Sequence, residues 1–157
     1  MTSFALARQL ISRGWRIGIF SLAVCAAQVA HAEKPYRYYA VGDTTDVTLP
    51  RPVHPALVLM GGGPDVDAAF KWMISKGGGG NFVIIRATGT DAYNPYIFAM
   101  GGVRSVETIV VSGRAAASDP FVLRRIRGAD ALFIAGGDQS DYINYWKDTP
   151  LESALQD

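Results

Sequence analysis

The chain has 157 residues, of which 49% are hydrophobic and 18% charged, with a formal net charge of +1. That length suits one domain, and the balance is that of a folded globular protein rather than a disordered segment. One cysteine and two histidines exclude a disulfide framework and a zinc-cysteine centre.

Arg8, Arg13 and Arg16 precede the apolar run "IGIFSLAVCAA", Ile17 to Ala27, and "AHA" closes the stretch at Ala32 without an acidic residue. A basic flank, a short apolar core and small residues at the end predict a secretory signal peptide over residues 1–32, cleaved before Glu33. The core falls short of the roughly 20 residues a membrane-spanning helix needs. Cys25 follows Val24, a bulky residue where lipoprotein processing sites carry a small one, so a lipid anchor is not favoured. Cleavage takes the 15 basic residues to 12 against 14 acidic ones, a net charge of −2, and removes the cysteine. An exported, thiol-free, mildly acidic domain is expected, with no nucleic-acid partner and no membrane association once the leader is gone.

Residues 33–55 are rich in tyrosine, threonine and proline. They predict an extended segment able to lie along a sheet edge, since repeated proline excludes a central strand. "ALVLM" (Ala56 to Met60), running into Gly61, Gly62 and Gly63, predicts a buried strand. Val66, Ala69, Phe70, Met73 and Ile74 then share one helical face, with Asp65 and Asp67 near its start, and Gly77 to Gly80 end that helix. Strands are predicted at Phe82 to Ala87, Glu107 to Gly113 and Ala131 to Ala135. Between them a short helix is expected over Tyr96 to Met100, and another opens at Pro120 behind an Asp119 N-cap. A helix around Gln139 to Lys147 follows, and Thr149 with Glu152 reads as a capping box for a last one. Four apolar strands alternating with helices predict a doubly wound parallel α/β sheet, whose ligands bind beyond the carboxyl ends of the strands.

The chemistry therefore belongs to the loops Gly61 to Asp65, Thr88 to Tyr96 and Gly136 to Gln139. "MGGGPD" invites a dinucleotide reading, but the third fingerprint glycine is missing and Arg86, not an acid, ends the next strand. No Gly-Lys-Ser/Thr follows it either, so it is no phosphate loop. "KGGGGN" reads as a helix terminator, His54 as a loop residue, and Ser140 as a helix cap. No Gly-x-Ser-x-Gly occurs, so no serine is marked as a nucleophile on a strained elbow. "GGDQ", Gly136 to Gln139, is the remaining candidate: paired glycines at a strand end leave main-chain amides free to receive an oxyanion, though glycine-aspartate also makes ordinary turns.

"VLMGGG", "IIRATGTDAYNPY", "SVETIVVS" and "DPFVLRRIRGADALFIAGGDQSDYINYWKDTPLESAL" together resemble the N-terminal half of the cyanophycinase-like serine peptidases. These are relatives of dipeptidase E with the class I glutamine amidotransferase-like fold. The resemblance runs from about Ala56 onward, and the leader is similar to that of exported bacterial members. It implies a hydrolase cleaving isopeptide or dipeptide bonds at aspartyl residues through an acyl-enzyme on serine, with a peptide or cyanophycin-like polymer as partner and no cofactor or metal. It also implies that the Gly137 amide is an oxyanion-hole donor, that Gln139 reaches the substrate, and that Gly62 and Gly63 form the adjoining wall. Asp91 and Asp138 are expected to receive the substrate's guanidinium groups, because a planar charged donor favours carboxylates.

In the family the serine elbow and the base histidine come later than Leu155, and neither occurs here. The chain is expected to be truncated before the nucleophile strand, inactive alone, and prone to self-association through an open sheet edge. A non-enzymatic secreted peptide-binding module or a gene fragment is the alternative, and a dinucleotide-binding domain a lesser one.

Overall fold

The computed structural model describes residues 33–157, so the expected signal peptide lies outside the described residues. Four strands form one mixed sheet in the order β1-β3-β2-β4: β1 (Arg37–Gly42), β2 (Asn81–Arg86), β3 (Ser105–Val110) and β4 (Ala131–Ile134). β2 runs parallel to both β3 and β4, whereas β1 is antiparallel to β3. The extended leading segment thus lies on a sheet edge as expected, and the sheet is mostly rather than wholly parallel.

Six helices connect and cover the strands: α1 (Asp67–Lys76), α2 (Tyr93–Ala99), α3 (Arg114–Ala117), α4 (Pro120–Arg127), α5 (Gln139–Trp146) and α6 (Pro150–Gln156). Alternation along each strand sends side chains to two cores. Phe82, Ile84 and Val106 meet Phe70, Met73 and Ile74 of α1 and Ile97 of α2. On the other face Val83, Ile85 and Ile109 meet Val122 and Ile126 of α4, Trp146 of α5 and Leu151 of α6. Every residue of β3 is buried, including Glu107, which accepts from Arg125 of α4 and from the Tyr38 hydroxyl of β1.

The helix boundaries follow local chemistry. The Asp119 side chain accepts from the Phe121 amide with Pro120 at the first helical position, as expected. The Gly77 amide closes α1 on the Met73 carbonyl, and Gly78 and Gly79 then turn with positive φ, where glycine costs least. Two expectations fail locally. Asp138, not Ser140, caps α5, and Ser140 donates to it through both its amide and its hydroxyl. The capping box at α6 does not form. Thr149 donates instead to the Trp146 carbonyl, and Glu152 accepts from the Asp148 amide one residue too early. α5 is braced at its far end, where Trp146 Nε1 donates to Val111 O at 2.9 Å and Arg114 donates to the carbonyls of Lys147 and Asp148.

The strand expected over Ala56 to Met60 is absent. That run is irregular and unpaired, with Leu57 81% and Leu59 87% exposed. β2 offers it no edge, being hydrogen-bonded on one side by β3 and on the other by β4, in the register Val83↔Leu132 and Ile84↔Phe133, and the outer edge of β4 is separated from it by a cleft. An apolar run becomes a strand only beside a free edge in register, and here the segment stops short of β4.

Candidate functional site

The site is built at the carboxyl end of β4. After Ile134 the Ala135 amide still donates to the Ile85 carbonyl. The chain then leaves the sheet, and neither the Gly136 nor the Gly137 amide donates to a main-chain carbonyl among the described residues. Both glycines are solvent-facing, which is what an oxyanion site needs of its donors. Asp138 Oδ1 accepts from the Ser140 amide at 2.8 Å and from its hydroxyl at 2.7 Å. Those two bonds hold the Asp138 carboxyl below the usual carboxylate range.

Gly137 is held by a neighbour. A Cβ placed on it would meet the Tyr142 hydroxyl at 2.9 Å and Tyr142 Cε2 at 3.1 Å, whereas a Cβ placed on Gly61, Gly62, Gly63 or Gly136 would meet open space. The Tyr142 hydroxyl donates to Ala135 O at 2.5 Å. Burial raises the Tyr142 phenol above its ordinary value, while the Ala87 amide and the Arg86 charge pull it back. Tyr142 therefore fastens α5 to the chain leaving the carboxyl end of β4.

Along the outer edge of β4 runs a cleft of about 1000 Å³ between that strand and residues 53–63. Leu57, Leu59, Leu132 and Phe133 give it an apolar middle, and the two ends are polar. Gly62, Gly63, Asp65, Tyr93, Gly137 and Gln139 line the end beyond the carboxyl terminus of β4, while His54, Lys76 and Asp130 line the other. The tyrosines of α2 tie this end to α1: Tyr93 donates to Asp65 at 3.2 Å, and Tyr96 donates to Asp67. The hydrogen bond to Asp67, helped by desolvation, raises the Tyr96 phenol to about 12.

The fold thus brings four of the six sequence-predicted residues, Gly62, Gly63, Gly137 and Gln139, onto one cleft. Asp138 stands beside it with one carboxylate oxygen engaged in capping, and Asp91 lies in the loop between β2 and α2, away from the cleft lining. Sequence reasoning missed Tyr142 and Tyr93. It noted Arg86 only as a departure from the dinucleotide pattern, and that departure was the signal that a cation stands at the end of β2. Among the described residues no cluster of His, Cys, Asp or Glu is placed to hold a metal ion, and no helix is long and apolar enough to cross a membrane.

The class defined by fold and site is an α/β domain with free main-chain amides at a strand end above a cleft. No protein-family model, curated protein or solved structure matches the chain.

Proposed function

We propose that this chain is an exported member of the cyanophycinase-like serine peptidases, with the doubly wound class I glutamine amidotransferase-like architecture, and that it carries the oxyanion and substrate-binding side of the active site. The observation that supports this most directly is the pair of unengaged amides at Gly136 and Gly137, opening on the cleft that Gln139, Gly62 and Gly63 also line. A carbonyl oxygen gathering charge as a nucleophile attacks it is stabilised by such fixed dipoles, which need no reorganisation at the moment of reaction. Gln139 adds an amide side chain that both donates and accepts, suited to a peptide group. No Gly-x-Ser-x-Gly occurs in the sequence, and His54 stands at the opposite end of the cleft from Gly137 and Gln139.

The role proposed for these residues is therefore binding and charge stabilisation rather than attack. Calorimetric titration with an aspartyl-arginine dipeptide is expected to give saturable binding, weakened about tenfold in Gln139→Ala, as the loss of one hydrogen bond to a charged or strongly polar ligand implies. Incubation with cyanophycin is expected to release no dipeptide. Absence of binding would remove the peptidase reading, and turnover would show that these residues attack as well as bind.

A further inference from the structure

β2 and β4 are neighbours in the sheet, yet they pass the chain to opposite faces. β2 leads to α2, which packs with Phe82 and Ile84, and β4 leads to α5, which packs with Val83 and Ile85. The two outgoing loops diverge, and above the strand pair they leave the kind of crevice in which open α/β sheets bind ligands. Arg86, the last residue of β2, stands at this point. Its Nε donates to Thr88 O and its Nη1 to Thr90 O at 3.1 Å, and its Cζ lies 5.8 Å from the Tyr93 ring centroid. A Cβ on Gly89 would fall 2.4 Å from Cζ and Nη2, so the guanidinium fills the space that any other residue at 89 would claim, and Gly89 itself has φ +105°. The intervening carbonyl, Gly89 O, accepts from Arg37 at 3.1 Å.

Two arginines thus grip one loop through three consecutive carbonyls. Neither forms an ion pair with a carboxylate among the described residues. Carbonyls fix the Arg86 guanidinium in place but do not neutralise it, and its Nη2 group, packed over Gly89, makes no hydrogen bond among the described residues. A half-buried cation with no carboxylate partner among the described residues, immobilised at the carboxyl end of β2, matches a planar anion.

We propose that Arg86 is the carboxylate receptor of this crevice, holding the free carboxylate of an aspartyl residue whose adjoining carbonyl faces the Gly136 and Gly137 amides. The identity of that residue rests on the peptidase reading; the anion specificity rests on Arg86 alone. The full chain is titrated with aspartyl-arginine and with asparaginyl-arginine, which differ only in the carboxylate. Aspartyl-arginine is expected to bind at least about tenfold more tightly, a charge-assisted hydrogen bond being worth that much. Arg86→Gln is expected to abolish the preference and Arg86→Lys to keep part of it, with far-UV circular dichroism checking that each variant folds. Equal affinity of the wild-type chain for the two dipeptides would overturn the proposal without any variant, as would a preference that survives in Arg86→Gln. Succinate and inorganic phosphate serve as competitors, and stronger competition by phosphate would overturn the carboxylate assignment. If neither dipeptide binds, the peptidase reading fails first. Succinate binding that Arg86→Gln abolishes then upholds the receptor, and absence of succinate binding removes it.

Discussion

Tyr38 donates to the completely buried carboxylate of Glu107 at 2.8 Å. Burial first, and then that hydrogen bond, push its phenol up to about 12 from an ordinary 10.0. An acid whose pKa rises on folding favours the folded state fully while both forms are protonated, so the contribution holds below pH 10 and is lost as pH climbs towards 12. Chemical denaturation across that window should show a falling midpoint in the wild type and a smaller fall in Tyr38→Phe. Parallel curves would mean that the phenol is not coupled to folding. Gly137 illustrates the same dependence on one neighbour, since it must lack a side chain because Tyr142 already occupies the space.

Among the elements, the joint between β3 and α4 is the most polar part of the core. Arg125 makes two bonds to Glu107 and reaches Thr44 O as well. Its guanidinium stays charged although burial opposes it, because the carboxylate outweighs the lost hydration. Removing one partner strands the other: Arg125→Met should cost about 3 kcal/mol in denaturant unfolding, and adding Glu107→Leu should recover most of it, as apolar replacement of whole buried pairs does. Failure of the double variant to recover would show that the network fixes the β3–α4 geometry rather than satisfying a buried charge. This joint also explains what was legible in the sequence. α1 and α4 were readable because caps and glycines act locally, as at Asp119, Pro120 and Gly77, whereas α3 was not expected and α2 begins three residues before the expected Tyr96. β3 was expected over Glu107 to Gly113 and runs over Ser105–Val110, because Ser105 and Val106 pair with Asn81 and Phe82 of β2, a long-range register that periodicity cannot see. Ala56 to Met60 failed in the opposite sense: its composition suits a strand, but strand formation depends on which edge β4 leaves free.

At the scale of the whole molecule, β4 pairs on one side only among the described residues, and its outer edge faces the cleft with Ile134 48% exposed. Unpaired backbone beside exposed leucines invites another chain. Sedimentation velocity is expected to show concentration-dependent association, which Ile134→Lys should reduce, as a charge on a sheet edge does. A monomer at all concentrations would mean that residues 53–63 already shield the edge. The candidate site was legible only in part at this scale. "GGDQ" named its own strand end, but the cleft that gathers Gly62, Gly63, Gly137 and Gln139 exists because β2 chose β4, and Arg86 gained its role only when Gly89 and the divergence of two loops gave it a fixed seat.

The clamp on α5 has a thermodynamic consequence. With Trp146 fastened to Val111, the Lys147 and Asp148 carbonyls held by Arg114, Asp138 capping through Ser140 and Gly137 packed against Tyr142, the helix that begins at Gln139 and the turn before it are held at both ends and have little freedom left to lose. A ligand settling on that turn therefore freezes its own rotations and almost none of the protein's, so the entropic penalty of association should scale with the number of rotatable bonds in the guest.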